Sequence, residues 1–407
     1  MTGRHEGMTQ KDTSKHLRIL IYCFPALIDM VAAQFLFINT MRLVKMGASA
    51  SASGSVTTIW SITYLVTCLV TGRLVTPRNA AALMLASCLS LAALAGLGTI
   101  LPGATGIYIL TALAGGAVAL FFPPFQTFMK AVDKGGGKSL SYSTGLYTFA
   151  WSAGYAAGPF ISGFLMETGA QGWKLAYACG AAGALITAVG IHHLKHLVHL
   201  EAAPVSAPVT RLPPRGVDYA RCPDLAWLAW IGAGAGIVVI SVIRAVFPAH
   251  AVNTLSLGDG RIGTLFFLLS ITQALTGLIL CRSRVWMYRA FPVSVVGLLG
   301  VVGTLCLAFG VSSTLLRIGV ILFGVYSGSF FFYLVFHAIA HPVRTARYVA
   351  VNESVVGIGG ILGALIGGGL SDRFGFAFSA CACAIGLVVV TAFQAGIHRW
   401  KSADNLA

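Results

Sequence analysis

Residues 225–243 read LAWLAWIGAGAGIVVISVI and contain no charged side chain. A bilayer core takes about 20 residues of apolar helix to cross, and only helices or closed barrels satisfy their backbone polar groups there. With its continuation to residue 251, this stretch is long enough to cross, and eleven others resemble it. The twelve predicted spans are 17–41, 53–75, 80–101, 104–131, 141–166, 173–198, 225–251, 262–281, 288–310, 314–341, 347–370 and 377–397. These spans predict an all-α membrane protein.

The composition agrees with this fold class. Apolar residues make up 57% of the chain and charged residues 10%, whereas soluble domains carry about 25% charged residues. The spans leave two tails and short connections, which are too short for a soluble catalytic domain. No HExxH, GxSxG or Walker P-loop motif is present, so the sequence predicts neither an enzyme nor a pump driven directly by ATP.

The formal net charge of +15 is distributed unevenly between the two sides of the predicted bundle. Of the 27 Lys and Arg residues, 20 fall on the side that carries both termini, and six fall on the opposite side. This excess follows the positive-inside rule and places both termini in the cytoplasm. The charge therefore indicates topology rather than nucleic-acid binding. We expect a multi-pass protein of the plasma membrane, or of the inner membrane in a Gram-negative cell.

Proline and charged residues mark the longest connection, at 199–224, as a cytoplasmic linker. It separates a six-helix bundle at 17–198 from a second one at 225–397, with cytoplasmic tails at 1–16 and 398–407. The two halves also match in sequence. The matched elements are Ser61-Ile62-Thr63 with Ser270-Ile271-Thr272, Phe121-Phe122 with Phe331-Phe332, and Gly154, Gly163 and Gly169 with Gly360, Gly369 and Gly375. Parallel six-helix repeats are a recurring plan of transporters, with the substrate site between the repeats near the membrane midplane.

The fifth span contains a glycine motif, which reads Gly154-Tyr-Ala-Ala-Gly158-Pro159-Phe-Ile-Ser-Gly163. It resembles the GxxxGPxxGG element of the major facilitator superfamily, which is most frequent in exporters that exchange substrate for protons. The resemblance implies twelve transmembrane helices in two pseudo-symmetric bundles, with spans 1, 4, 7 and 10 around a central cavity. Small residues four apart let helices approach closely and proline bends a helix, so ordinary glycine packing is the alternative interpretation of the motif.

One loop departs from that family's pattern. The family carries an Asp-containing GxLaDRxGR loop between its second and third helices, but residues 72–78 read GRLVTPR and contain no acid. The matching loop of the second half, at 281–284, reads CRSR and is further from the pattern. The charge latch that this loop provides for inward–outward switching is therefore weakened or rebuilt.

Asp29 lies near the middle of the first span. A carboxylate at that depth is costly, and such residues usually face a cavity or a partner. Desolvation favours the neutral form of a carboxyl group, which suits a residue that binds and releases protons. We predict a proton-coupling role for Asp29, with a purely structural ion pair or polar contact as the alternative.

Arg244 is the one Lys or Arg residue of the chain that lies well inside a predicted span. Aligning Gly47 with Gly258 puts Asp29 opposite Ile240, so Arg244 falls one turn further along the same helical face. Its planar guanidinium suits a substrate carboxylate or phosphate. Two hypotheses remain open: Arg244 binds the substrate, or it only neutralises Asp29. A combined hypothesis is that Arg244 does both, with substrate and proton competing for the Asp29–Arg244 pair.

Other polar side chains add candidates for substrate binding or proton relay. Tyr326, Ser329, Tyr333 and His337 form a helical stripe on the tenth span, whereas Gln126, Tyr64 and Gln273 lie on the fourth, second and eighth. We predict that the stripe, apart from His337, and these three residues bind substrate, with core packing or joining of the halves as the alternative. His337 and Glu353 are predicted to relay protons, although Glu353 could instead be a surface acid. For the aromatic row Tyr147, Trp151 and Tyr155, packing is the favoured role.

These observations predict a secondary active transporter that moves a small organic solute, with an anion as one candidate, by alternating access and proton coupling. Arg244 favours the uptake of an anion, whereas the glycine motif favours a proton-antiport exporter of drugs or metabolites. The degraded loop at 72–78 also permits a non-transporting receptor or sensor on the same fold. We expect a monomer whose partners are the substrate, protons and the bilayer, with no metal and no cofactor.

Overall fold

The computed structural model describes residues 6–76, 78–101, 103–133, 140–199, 224–283, 286, 289–340 and 345–404, and these residues form helices without any strand. The helices are α1 (Glu6–Lys45), α2 (Ala50–Leu74), α3 (Ala80–Gly98), α4 (Gly103–Ala119), α5 (Phe122–Asp133), α6 (Leu140–Glu167), α7 (Gly172–His199), α8 (Ala226–Ala245), α9 (Phe247–Asn253), α10 (Asp259–Leu280), α11 (Ala290–Phe309), α12 (Ser313–Ala340), α13 (Thr345–Phe374) and α14 (Phe376–Asp404).

The fourteen described helices form the twelve expected spans. Two spans contain a break: α4 and α5 together make the span Gly103–Thr127, and α8 and α9 make the span Ala226–Asn253. Each break precedes proline, at 123–124 and at 248, because proline lacks the N–H and clashes with the preceding turn. The predicted all-α fold with twelve transmembrane helices is thus confirmed.

Eleven of the spans in the described chain are long and apolar enough to cross a membrane on composition alone, and α6 is the exception. This helix has 28 residues and packs most extensively against α1 and α10. A helix that contacts other helices over much of its surface needs fewer lipid-compatible side chains than a peripheral one. Peripheral helices instead expose large apolar residues to lipid, such as Ile186, Leu298 and Val389.

The packing repeats the symmetry of the sequence. Helix α6 packs on α1 of its own half and α10 of the other, and its counterpart α13 packs on α8 and α2 in the same way. The matched glycines Gly169 and Gly375 both have positive φ, +147° and +85°, at the turns that follow α6 and α13. Because glycine adopts positive φ without a steric penalty, this pair supports the repeat independently of the apolar matches.

The proposed domain boundaries fall partly on residues without a described structure. Residues 200–223, nearly all of the predicted linker at 199–224, lie outside the described ranges. At the N-terminus, α1 starts at Glu6, so part of the polar tail predicted at 1–16 continues the first helix. The division into two halves at this linker remains a prediction.

Candidate functional site

A cavity of about 300 Å³ lies between the two halves. Both halves contribute charged, polar and aromatic side chains to its wall. These are Asp29, Phe37, Thr40, Thr57, Trp60, Ser61, Tyr64, Phe122, Gln126, Tyr147, Trp151, Tyr155, Ser241, Arg244, Phe266, Phe331, Asn352 and Glu353. Small-molecule sites of proteins have this character, with mainly apolar walls and a few placed polar groups.

The end of this cavity opposite the termini is closed by contacts between the halves. We call this end of the bundle the far face; it carries the connections at 46–49, 168–171 and 254–258. There Lys45 forms an ion pair with Asp259. The Asp372 carboxylate accepts the backbone N–H groups of Ala50 and Ser51 at 2.8 and 3.0 Å, where α2 begins. Acids at helix N-termini are stabilised by the exposed N–H groups and the helix dipole.

An equivalent contact joins the other two helices of the repeat. The Glu167 carboxylate, at the end of α6, accepts the backbone N–H of Gly260 at 2.9 Å, in the first turn of α10. Each half therefore places an acid from the end of one helix on the N-terminus of a helix of the other half. In this conformation the far face is closed and the cavity runs from it toward the face that carries the termini.

Arg244 reaches from α8 to both α6 and α10. Its Nη2 donates to Ser270 Oγ at 2.9 Å, and its Cζ lies 4.0 Å from the ring centroid of Tyr155. Cation–π stacking and one hydrogen bond hold the guanidinium in place. Arginine has five N–H donors in a fixed fork, so a guanidinium held in this way is prepared to bind an anion.

Asp29 faces the same cavity from α1 and is 8% exposed. Its charge and that of Arg244 are close enough to interact electrostatically. They do not form a contact ion pair with each other, in contrast to Lys45 and Asp259 at the end of the bundle. The structure thus places Asp29 and Arg244 in the wall of the same cavity, from opposite halves.

Glu353 lines the cavity from α13. Tyr64 Oη of α2 donates to Glu353 Oε2 at 3.3 Å, which connects the halves. The neighbouring Asn352 accepts from Trp230 Nε1 at 2.7 Å and donates to the backbone oxygen of Leu334 at 3.2 Å. Glu353 is therefore a cavity residue and not the surface acid considered as its alternative.

The aromatic row of α6 also lies in the cavity wall, although packing was its favoured role. Trp151 contacts Phe331 of α12 with ring centroids 5.2 Å apart, and Tyr147 and Gln126 both line the cavity. Tyr155 is the residue that holds Arg244. Spacing alone could not separate the two roles, because an aromatic row fits helix packing as well as a cavity wall.

The stripe on α12 does not face the central cavity, contrary to the expectation. Tyr326 is 1% exposed and donates to the backbone oxygen of Gly232 at 2.8 Å, inside the second half. Ser329 donates to its own helix at Val325, and Tyr333 and His337 line a separate pocket of about 20 Å³ beside Trp286. The cavity meets a different face of α12. The helical period identified residues that share a face but could not assign the neighbour of that face.

Gln273 is fully buried between the halves and is not part of the cavity wall. Its Nε2 donates to Ser152 Oγ of α6 at 2.8 Å, and its Oε1 accepts from Ser327 Oγ of α12 at 2.9 Å. This geometry agrees with the alternative that it joins the halves.

The glycine motif of α6 forms close helix contacts. A Cβ atom at Gly158 would lie 2.5 Å from the Met30 oxygen of α1, and one at Gly163 would lie 2.6 Å from the Asp259 oxygen of α10. Gly154 meets the backbone of α1 at Ala26 even more closely. Pro159 lines the cavity between these contacts. The motif sets the distance of α6 from α1 and α10, as the packing interpretation states.

Comparisons with known proteins agree with the fold. The family model described as Major Facilitator Superfamily matches residues 20–347. The crystal structure of nucleoside transporter NupG is similar with a TM-score of 0.68 and 14% identity, over 93% of this chain and 98% of that one. The human organic anion transporter MFSD10 (TETRAN) is similar with a TM-score of 0.61 and 14% identity, over 93% and 99%. No curated protein matches the sequence.

Proposed function

Because this chain belongs to the Major Facilitator Superfamily, we propose that it is a secondary active transporter that moves a small organic anion by alternating access and couples this movement to protons. One observation carries the proposal. Arg244 and Asp29 come from different halves and line one cavity without a contact ion pair. An anion that binds between them contacts both halves at once.

The substrate class follows from the wall of the cavity. Trp60, Tyr147 and Trp151 offer aromatic surface, and Arg244 offers the positive charge. This combination favours an amphipathic organic anion with a planar or apolar body. Of the two solved structures compared above, MFSD10 is described as an organic anion transporter, which agrees with this proposal. At 14% identity, however, that likeness shows the fold alone.

The proton-coupling role of Asp29 follows from electrostatics. An ionised Asp29 partly neutralises the field of Arg244, and a protonated Asp29 leaves that field to the anion. Proton and anion therefore bind together, which gives cotransport in one direction. Glu353, held by Tyr64, is a second protonation site in the same wall. His337, also predicted as a proton relay, lies in its separate pocket away from the cavity, and the proposal gives it no step in proton transfer.

The conformation and orientation complete the proposal. With the termini in the cytoplasm, the closed far face is the outer side, and the present conformation faces inward. The protein works as a monomer, since each chain encloses its own cavity. Membrane-impermeant thiol labelling of cysteines introduced into the linker 199–224 tests the topology: labelling from outside intact cells contradicts it.

Transport assays in proteoliposomes test the function. Radiolabelled aromatic carboxylates should accumulate when the proton gradient is directed inward, and their neutral amide analogues should not. Equal uptake of the carboxylates and their neutral amide analogues contradicts the assignment of an anionic substrate.

A proton-antiport exporter is the second candidate, because the α6 motif typical of such exporters keeps all its helix contacts. The direction of coupling separates the two candidates. An exporter moves substrate against the proton flow, and the proposed cotransporter moves it with the flow. Ligand binding without any transport, in turn, favours a receptor or sensor.

A further inference from the structure

A second cavity, of about 560 Å³, lies at the far face within the first half. It is enclosed by the end of α1, the connections α3–α4 and α6–α7, and the start of α7, away from the cavity between the halves. Three of its lining residues are cations, Arg42, Lys45 and Lys174, and none of the described lining residues is acidic. A cavity with this charge attracts anions.

Arg42 is held at this cavity with part of its hydrogen-bonding capacity unused. Its Cζ lies 4.1 Å from the ring centroid of Trp173, and its Nη2 donates to the backbone oxygen of Leu101 at 3.0 Å. Its Nη1 is buried and has no hydrogen-bond partner in the described chain. A buried charged donor without an acceptor is costly, and an anion oxygen within reach of Nη1 would relieve that cost.

Two further ammonium groups complete the site. The Lys174 ammonium lies 5.5 Å from the same Trp173 ring, so two cationic groups, those of Arg42 and Lys174, lie against one indole. Lys45 lines the cavity as well, and its side chain is 46% exposed although it pairs with Asp259. Lys45 is therefore available to the cavity and to the second half at the same time.

We propose that this cavity binds a phosphate-type oxyanion, either free phosphate or the headgroup phosphate of an anionic lipid. Two cations at the end of α1, Arg42 and Lys45, and one at the start of α7, Lys174, match an anion with several acceptor oxygens. Tryptophan is typical of the headgroup level of membranes, so Trp173 is consistent with a cavity at the depth of the lipid phosphates. The site is independent of the transported substrate and lies outside the central cavity.

The shared lysine links this site to the closure of the far face. An anion in the cavity competes with Asp259 for Lys45, and Asp259 belongs to the second half. Binding therefore weakens one contact that holds the halves together there. By reciprocity, loss of the Lys45–Asp259 pair strengthens anion binding.

Thermal unfolding of the purified full-length protein tests the site. Inorganic phosphate is titrated at constant ionic strength in detergent. Separately, phosphatidylcholine nanodiscs are compared with and without phosphatidylglycerol. Lys174→Gln removes one cation and keeps a polar side chain, and Arg317→Gln is the matched control, because Arg317 is an exposed far-face cation of the other half. Asp259→Asn releases Lys45.

We expect phosphate or phosphatidylglycerol to raise the unfolding temperature of the unmodified protein and of Arg317→Gln. Lys174→Gln should weaken the apparent affinity about tenfold, which corresponds to one charge-assisted hydrogen bond. Asp259→Asn should strengthen it about two- to fivefold, the range of one partly exposed ion pair. A response to phosphate alone identifies a soluble anion, and a response to phosphatidylglycerol alone identifies a lipid headgroup. No response to either probe, or equal responses in Lys174→Gln and Arg317→Gln, overturns the proposal.

Discussion

The two halves of the molecule agree at the far face and differ at the centre. At the far face, Glu167 of the first half caps α10 and Asp372 of the second half caps α2, so each half provides the same kind of contact. At the centre, the corresponding helices α1 and α8 carry opposite charges, Asp29 and Arg244. The symmetric contacts fit a frame that opens and closes, and the asymmetric pair fits a site that distinguishes proton from anion.

The largest expected effect comes from removing the acidic side of the central pair. Asp29→Asn should abolish accumulation driven by a pH gradient, because an amide does not exchange a proton, while substrate binding and exchange persist. Uptake into proteoliposomes with and without the gradient measures this. Asp372→Asn, the same change at the far face, is the matched control and should keep accumulation; gradient-driven uptake by Asp29→Asn rules out the coupling role.

Removal of the basic side should weaken binding and leave the proton site in place. Arg244→Lys keeps the charge but loses the planar fork and the stacking on Tyr155. We expect its affinity for an anionic substrate to fall about tenfold or more, the loss of one bidentate contact. Binding that is unchanged in Arg244→Lys defeats the anchor hypothesis. Arg244 would then serve to neutralise Asp29. In that case the double variant Asp29→Asn with Arg244→Gln should express better than either single variant, because each single variant leaves one buried charge without its partner.

A moderate effect is expected from the far-face caps. Asp372→Asn keeps an acceptor but loses the charge at the α2 N-terminus, and such charge–dipole contacts are worth about 0.3–1 kcal/mol at exposed positions. In a background without native cysteines, a cysteine placed at the buried Ser53 should react about two- to fivefold faster with an impermeant thiol reagent when Asp372→Asn is added. An equal rate with and without the substitution indicates that this cap does not hold the far face closed.

The smallest effect on transport is expected from the α12 stripe. Tyr326→Phe loses the hydrogen bond to Gly232 and should lower the stability of the second half by about 1 kcal/mol, with an unchanged KM. Tyr147→Phe changes the cavity wall and should alter KM instead. A changed KM in Tyr326→Phe with unchanged stability contradicts this assignment of the two tyrosines.

The sequence was sufficient for the fold because bilayer length and hydropathy impose few solutions. It found the spans, the central charges Asp29 and Arg244, and the small-residue motif of α6, since charges and glycines in apolar helices are conspicuous. Even α6, which is not apolar enough to qualify as a span on composition alone, is predicted as an apolar stretch of sufficient length.

Prediction from the sequence failed where the role of a residue depends on how its helix is rotated about its own axis. The Tyr326 stripe has the spacing of a helical face, but this face of α12 points away from the central cavity. The row at Tyr147 has a spacing that favours packing, yet it lines the cavity. The far-face acids Glu167, Asp259 and Asp372 lie at helix ends, where an acid looks like any solvated charge. Their contacts became visible only when the halves were brought together.

Proton uptake during ligand binding tests the central claim most directly. An anionic substrate is added to the purified protein in weak buffer, and a pH-sensitive dye reports the protons bound per anion. The titration is repeated over a range of pH. At a pH at which Asp29 is ionised in the free protein, the proposal predicts uptake of up to about one proton per anion, because an anion at Arg244 favours protonation of Asp29. Uptake should be smaller in Asp29→Asn, which still binds the anion. Binding of the anion to the unmodified protein without proton uptake contradicts the account.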